Sequence, residues 1–136
     1  MFVHPALGLT AIGLILGAFA MKAGQRKFWR LHYVTGLTAG AAGIAAFSVA
    51  IWAVLRRWFE SGGQTRLPFI ASVHLAAASL GLLALITQVT LGLLVHNVLG
   101  GPPKFLRFHR RNARLLVILA IAISVLGLAT LGMLMV

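Results

Sequence analysis

The sequence predicts an all-α integral membrane protein: a four-transmembrane-helix bundle, antiparallel up-down, with both termini outside. Three observations predict it. Of the 136 residues 60% are hydrophobic and the mean hydropathy is +0.99, more apolar surface than a soluble domain of this length needs. Asp, Glu, Lys and Arg are absent from residues 2–21, 31–55, 67–103 and 115–136. Roughly 20 apolar residues cross a bilayer core as a helix, and in lipid every backbone polar group must be satisfied inside its own segment. The basic residues, finally, are distributed unequally between alternate connections. The chain 1–136 is read as a single domain.

The first segment has no basic leader and no A-x-A-type cleavage site after its apolar part, so it is expected to remain as a membrane helix. It opens on His4 and Pro5, and proline is tolerated in a first helical turn. Gly8 follows one turn later. The first connection carries Lys22, Arg26, Lys27 and Arg30, and the second helix then brings His32 and Gly36. The second connection holds Arg56, Arg57 and Arg66 with Glu60, the only carboxylate side chain in the chain. The third helix has length to spare and contains His74, Ala78, Gln88 and His96. The third connection is the most basic, with Lys104, Arg107, Arg110, Arg111 and Arg114, and the fourth helix is read with His109 and Ala113 near its start. Nine basic residues thus fall on one side and three on the other. The positive-inside rule puts the first and third connections in the cytoplasm, and the termini and second connection outside. A net charge of +11 therefore reports topology, and no nucleic-acid partner is expected. The "GLILG" and "GLTAG" runs, with Gly13, Gly17, Gly36 and Gly40, are suited to close approach of helices.

Several chemistries are excluded. Without cysteine there are no disulfides, no Cys-ligated iron–sulfur clusters and no covalent C-x-x-C-H haem. One Glu and no Asp leave no carboxylate pair for hydrolysis and no oxygen cage for a hard cation. No carboxylate inside a helix is available to relay protons in a transporter.

Histidine remains. His4, His32, His74 and His109 each lie toward the N-terminal end of their own helix. Because successive helices reverse, His4 and His74 fall on the outer side, and His32 and His109 on the inner side. Each side then receives one imidazole from each of two helices, the requirement of a bis-histidine haem iron. The residue four after each is small: Gly8, Gly36, Ala78 and Ala113. Residues four apart share a helix face, and a flat macrocycle needs that face clear. His96 lies about 33 Å along the helix from His74, within about 40° of the same face. It is expected to contact a haem propionate, a quinone or water near the inner surface, with competition for the inner iron as the alternative. Arg107, Arg110, Arg111 and Arg114 flank His109 and Arg30 precedes His32, so this basic cluster, notably Arg30, Arg107, Arg110 and Arg114, is expected to offset propionate charge.

The segments "HPALGLTAIG", "RLHYVTGLTAG", "SVHLAAASLGLLALITQVTLGLL" and "FHRRNARLLVILA", in that order, resemble the four core helices of the cytochrome b561 superfamily across nearly the whole chain. Typical members add one helix on each side of that core. The resemblance implies two non-covalent b haems, one held by His4 and His74 and one by His32 and His109. It also implies transmembrane electron transfer, often from a cytoplasmic reductant such as ascorbate to an acceptor outside.

The expected function is accordingly that of a membrane cytochrome b subunit in the cytoplasmic membrane of a prokaryote. It would pass electrons between a cytoplasmic-side or quinol donor and an outer redox partner such as a multihaem cytochrome, as a component of an oxidoreductase and not a stand-alone catalyst. The partner follows from the outer face, where nothing of domain size protrudes. Two alternatives are a chlorophyll- or pigment-binding protein, since chlorophylls also take single histidine ligands beside small residues, and a cofactor-free membrane anchor or assembly subunit.

Overall fold

A computed structural model of the chain describes residues 3–21, 29–64, 67–97 and 103–134. They form four helices and, among the described residues, no strand: α1 (Val3–Ala20), α2 (Trp29–Glu60), α3 (Phe69–Asn97) and α4 (Pro103–Leu134). α2, α3 and α4 are long and apolar enough to cross a membrane; α1 is apolar but shorter, with 18 residues.

Two of the helices, α2 and α4, outrun their uncharged stretches. α2 has 32 residues, about 48 Å at 1.5 Å per residue, against a hydrocarbon core of about 30 Å. Its charged last turns, Arg56 to Glu60, are exposed. There Arg56 Nε donates to Glu60 Oε1 at 2.7 Å. α4 begins a full three turns before residue 115, so Lys104, Arg107, Arg110, Arg111 and Arg114 stand on a helix and not on a loop. The reason is amphipathicity. All five cations point outward, while Phe105, His109, Asn112 and Ala113 form a part-buried stripe at helical spacing. Charge marks where the apolar stretch ends, and the helix continues past it.

The α2–α3 turn is built by two glycines. Gly62 and Gly63 have φ of 63° and 84°, a left-handed conformation that only glycine adopts without cost. Gly63 N–H donates to Trp58 O (2.9 Å) and Gly62 N–H to Phe59 O (3.1 Å), the double bond pattern of a Schellman C-cap.

The bundle pairs α1 closely with α2 and α3 closely with α4; the α2–α3 and α1–α4 contacts are thinner. The buried core is small and central: Ile15, Ala39, Ala84, Leu85 and Leu116. Large apolar side chains face outward instead, among them Leu9, Trp52, Leu83, Ile118 and Leu128, each more than 60% exposed. An apolar exterior of this extent suits a lipid bilayer. So do the hydroxyls of Thr10, Thr38, Ser79, Thr87, Thr90 and Thr130, which donate to the carbonyl four residues back and need no outside partner. Of the glycines expected to bring helices together, Gly40 does so, with a Cβ there falling 3.2 Å from Val89. Gly13, Gly17 and Gly36 do not: a Cβ at any of them would meet nothing within 4 Å.

Candidate functional site: two histidine pairs

The thin interface between the α1–α2 and α3–α4 pairs holds the histidines. His4 on α1 faces His74 on α3, with ring centroids 6.4 Å apart and planes at 79°. His32 on α2 faces His109 on α4, at 6.2 Å and 77°. Each pair draws one ring from the α1–α2 pair and one from the α3–α4 pair.

The tautomers of two rings follow from their partners. His4 Nδ1 lies 2.9 Å from Ala46 O, and His32 Nδ1 lies 2.9 Å from Ala18 O. A carbonyl only accepts, so each Nδ1 carries the proton and donates it. Nε2 is then left with its lone pair. A metal-ligating histidine usually donates its other N–H in this way, which fixes both tautomer and ring orientation. His74 and His109 differ. Their Nδ1 atoms are buried without a hydrogen-bond partner, although the backbone of Ile123 stands beside His74 and that of Gln88 beside His109.

Each pair opens into its own cleft. The His4–His74 cleft measures about 200 Å³ and is lined by Gly8, Ala78, Leu9, Leu128 and other apolar residues. The His32–His109 cleft measures about 670 Å³ and is lined by Gly36, Ala113, Tyr33 and Gln88, among others. Gly8 and Gly36 are open: a Cβ at either would meet nothing within 4 Å. Ile15, Leu85 and Leu116 line both clefts. The buried core is thus a partition between them.

The basic residues expected beside propionates stand on the outer surface of α2 and α4. Arg30, Arg107, Arg110 and Arg114 are exposed, and none of them lines the cleft next to its histidine. His96 belongs to the last turn of α3, and its side chain lies outside the described residues.

The sequence marks Gln88 as a polar residue of α3 but assigns none of Gly127, Gly92 and Asn112 to either site. Gly127 on α4 backs the His74 ring, where a Cβ would fall 3.2 Å from Cε1; Gly92 on α3 backs His109, at 3.5 Å from Cε1. Gln88 and Asn112 bond to each other beside His109. The recognisable signal for the glycines is position. They sit on the helix adjacent to each histidine, at the level where a ring would otherwise strike a side chain.

Chemically, each pair brings two imidazoles to face each other across a largely apolar cleft. Among the described residues no group of three or more His, Asp or Glu side chains is placed to hold a metal ion by protein ligands alone. Two imidazoles suit a metal that brings its own equatorial ligands. No family model, no curated protein and no solved structure matches this chain.

Proposed function

We propose that the protein is a transmembrane electron-transfer cytochrome of the cytochrome b561 type, carrying two b haems between His4 and His74 and between His32 and His109. The observation that carries this reading is the doubled ring geometry. Two imidazoles that would share one metal between them, each nitrogen at about the 2.0–2.1 Å of an imidazole–zinc bond and about 1.1 Å from its ring centre, would have centroids about 6.3 Å apart. Both pairs lie within 0.1 Å of that value. Ring pairs in general occupy a broader range, about 4.5–7 Å, so the weight comes from the repetition, from the lone pairs left on Nε2 of His4 and His32, and from the open faces of Gly8 and Gly36.

The chemistry of the donor set fits. The larger cleft falls in the range of about 300–1,000 Å³ typical of cofactor sites, and the smaller lies below it. The smaller has movable walls: Leu9 and Leu128, 65% and 69% exposed, can turn outward. A haem supplies reversible one-electron chemistry. The chain's own imidazoles would hold it, with ring orientation fixed through Ala46 O and Ala18 O, water excluded by aliphatic walls, and the two sites separated by Ile15, Leu85 and Leu116.

Antiparallel, up-down order belongs to the same reading. Residue 4 meets 46 while 32 meets 18, and 74 meets 127 while 109 meets 92, as helices of opposite direction would. The positive-inside distribution then puts the His4–His74 pair and both termini outside, with the His32–His109 pair toward the cytoplasm. A quinol or cytoplasmic-side reductant would deliver electrons, and an outer redox protein such as a multihaem cytochrome would exchange them. The absence of native cysteine permits a direct topology test. A Gln64→Cys chain should react with a membrane-impermeant maleimide in intact cells, and a Lys104→Cys chain only after lysis. The reverse pattern would overturn the orientation.

The spectrum of the gently purified chain tests the function. Two haems per polypeptide, with sharp α and β bands after dithionite, are expected. Intense red absorption would identify a chlorophyll protein, and no chromophore a cofactor-free anchor.

A further inference from the structure

The two histidine sites differ in one respect that the two-haem reading does not use. Asn112 Nδ2 donates to Ala84 O at 2.8 Å and to Gln88 Oε1 at 3.0 Å. A backbone carbonyl only accepts, so the first bond fixes the Asn112 amide. The Gln88 atom facing that NH2 must therefore be its oxygen. Its own NH2 is turned to His109 Nε2, 3.2 Å away. His109 Nε2 is the acceptor, and its lone pair is engaged. Among the described residues no side chain makes a comparable bond to His4 or His74. Ser124, on the wall of that cleft, donates to its own helix at Ala120 O.

We infer that Gln88, aimed by Asn112, is a positioning residue that caps the metal-facing nitrogen of His109 in the cofactor-free chain, so that the His32–His109 site fills by exchange while the His4–His74 site fills directly. This rests on the two-haem reading above. The exchange breaks the hydrogen bond from Gln88 to Nε2 and forms a coordinate bond from the same lone pair to ferric iron; no electron or proton moves. Gln88 keeps Asn112 through Oε1 and has only to turn its NH2 aside. The cap also explains how a buried imidazole keeps a polar partner before the cofactor arrives, in a setting where an unpaired lone pair is costly. The narrower His4–His74 cleft imposes no matching delay, because exposed side chains such as Leu9 and Leu128 change rotamer in picoseconds to nanoseconds.

The test is stopped-flow absorbance of the haem-free full chain in detergent mixed with ferric haem. Wild type is expected to load two haems in two phases, with the slow phase absent from His32→Ala and the fast phase absent from His4→Ala. Gln88→Leu should quicken the slow phase about two- to tenfold, the factor of one ordinary hydrogen bond, and leave the fast phase unchanged. Asn112→Leu keeps Gln88 but frees it, and should act in the same direction; it also carries the test if Gln88→Leu does not fold. Two haems loading at unaltered rates in both variants would overturn the inference and spare the two-haem reading. Equal changes in both phases would make Gln88 merely structural and overturn it as well. A wild-type chain that binds no haem would remove the reading and the inference together.

Discussion

Replacing His32 by alanine is expected to lower the haem content of the purified chain from two per polypeptide to one. The substitution removes one of the two imidazoles that would hold the haem, and with it the Nδ1–H bond to Ala18 O that orients the ring. His109, 6.2 Å across the cleft, would be left as a single ligand facing an empty position. His4→Ala should do the same at the other pair, where the ring is held by Ala46 O. The sharper version uses double substitutions, because it tests the pairing and not just the ligands. His4→Ala with His74→Ala removes both ligands of one site, so one haem remains. His4→Ala with His109→Ala damages both sites, so none remains. Reduced-minus-oxidised spectra and a pyridine haemochrome count read the result. Loss of both haems from the His4/His74 double variant would show that the pairing is wrong, whatever the haem content of the singles.

The pairing of the histidine rings was more legible in the sequence than the helix boundaries were. Four histidines, each leading a long apolar segment and each followed four residues later by Gly or Ala, are enough to suggest two facing pairs once the helices alternate in direction. The rings face one another in those pairs. What misled was the use of charge as a boundary. A cationic stretch ends a membrane span but not a helix, and α4 carries its five cations on an exposed face for three turns before residue 115. Spacing within one helix also says nothing about what stands across from it. Gly13 and Gly17 have the small-residue spacing of a contact and no neighbour, whereas Gly92 and Gly127, with no distinctive local motif, back the two rings on α3 and α4. The Gln88–Asn112 pair was half visible. Gln88 stood out as a polar residue within an apolar helix, but its direction is determined by an amide 24 positions away and by the carbonyl of Ala84. Long-range register decides such contacts, and a single sequence does not contain it.

The backing glycines give the second large expected effect. A Cβ at Gly127 would lie 3.2 Å from His74 Cε1 and 3.7 Å from its Nδ1, tighter than ordinary packing, and the contact is with a rigid ring that cannot fold aside. A leucine there has to displace the imidazole toward the cleft and out of line with His4. Overpacking of this kind costs about 1–3 kcal/mol, which corresponds to about a five- to hundredfold loss of affinity if it falls on haem binding. Gly127→Leu is therefore expected to lose the His4–His74 haem and keep the other. Gly92→Leu should show the converse, because a Cβ there already touches His109 at 3.5 Å and the longer side chain must go further. Gly92→Ala, at ordinary contact distance, should retain both haems. Gly13→Leu is the control: its Cβ meets nothing within 4 Å, and an added apolar side chain on that exposed face should leave both haems in place. Haem counts beside far-UV circular dichroism separate a displaced ligand from a damaged bundle. Site-selective loss at unchanged helicity supports the assignment of one ring to each glycine. If Gly127→Leu and Gly92→Leu deplete the same haem, or neither, the two rings are not held where this geometry requires.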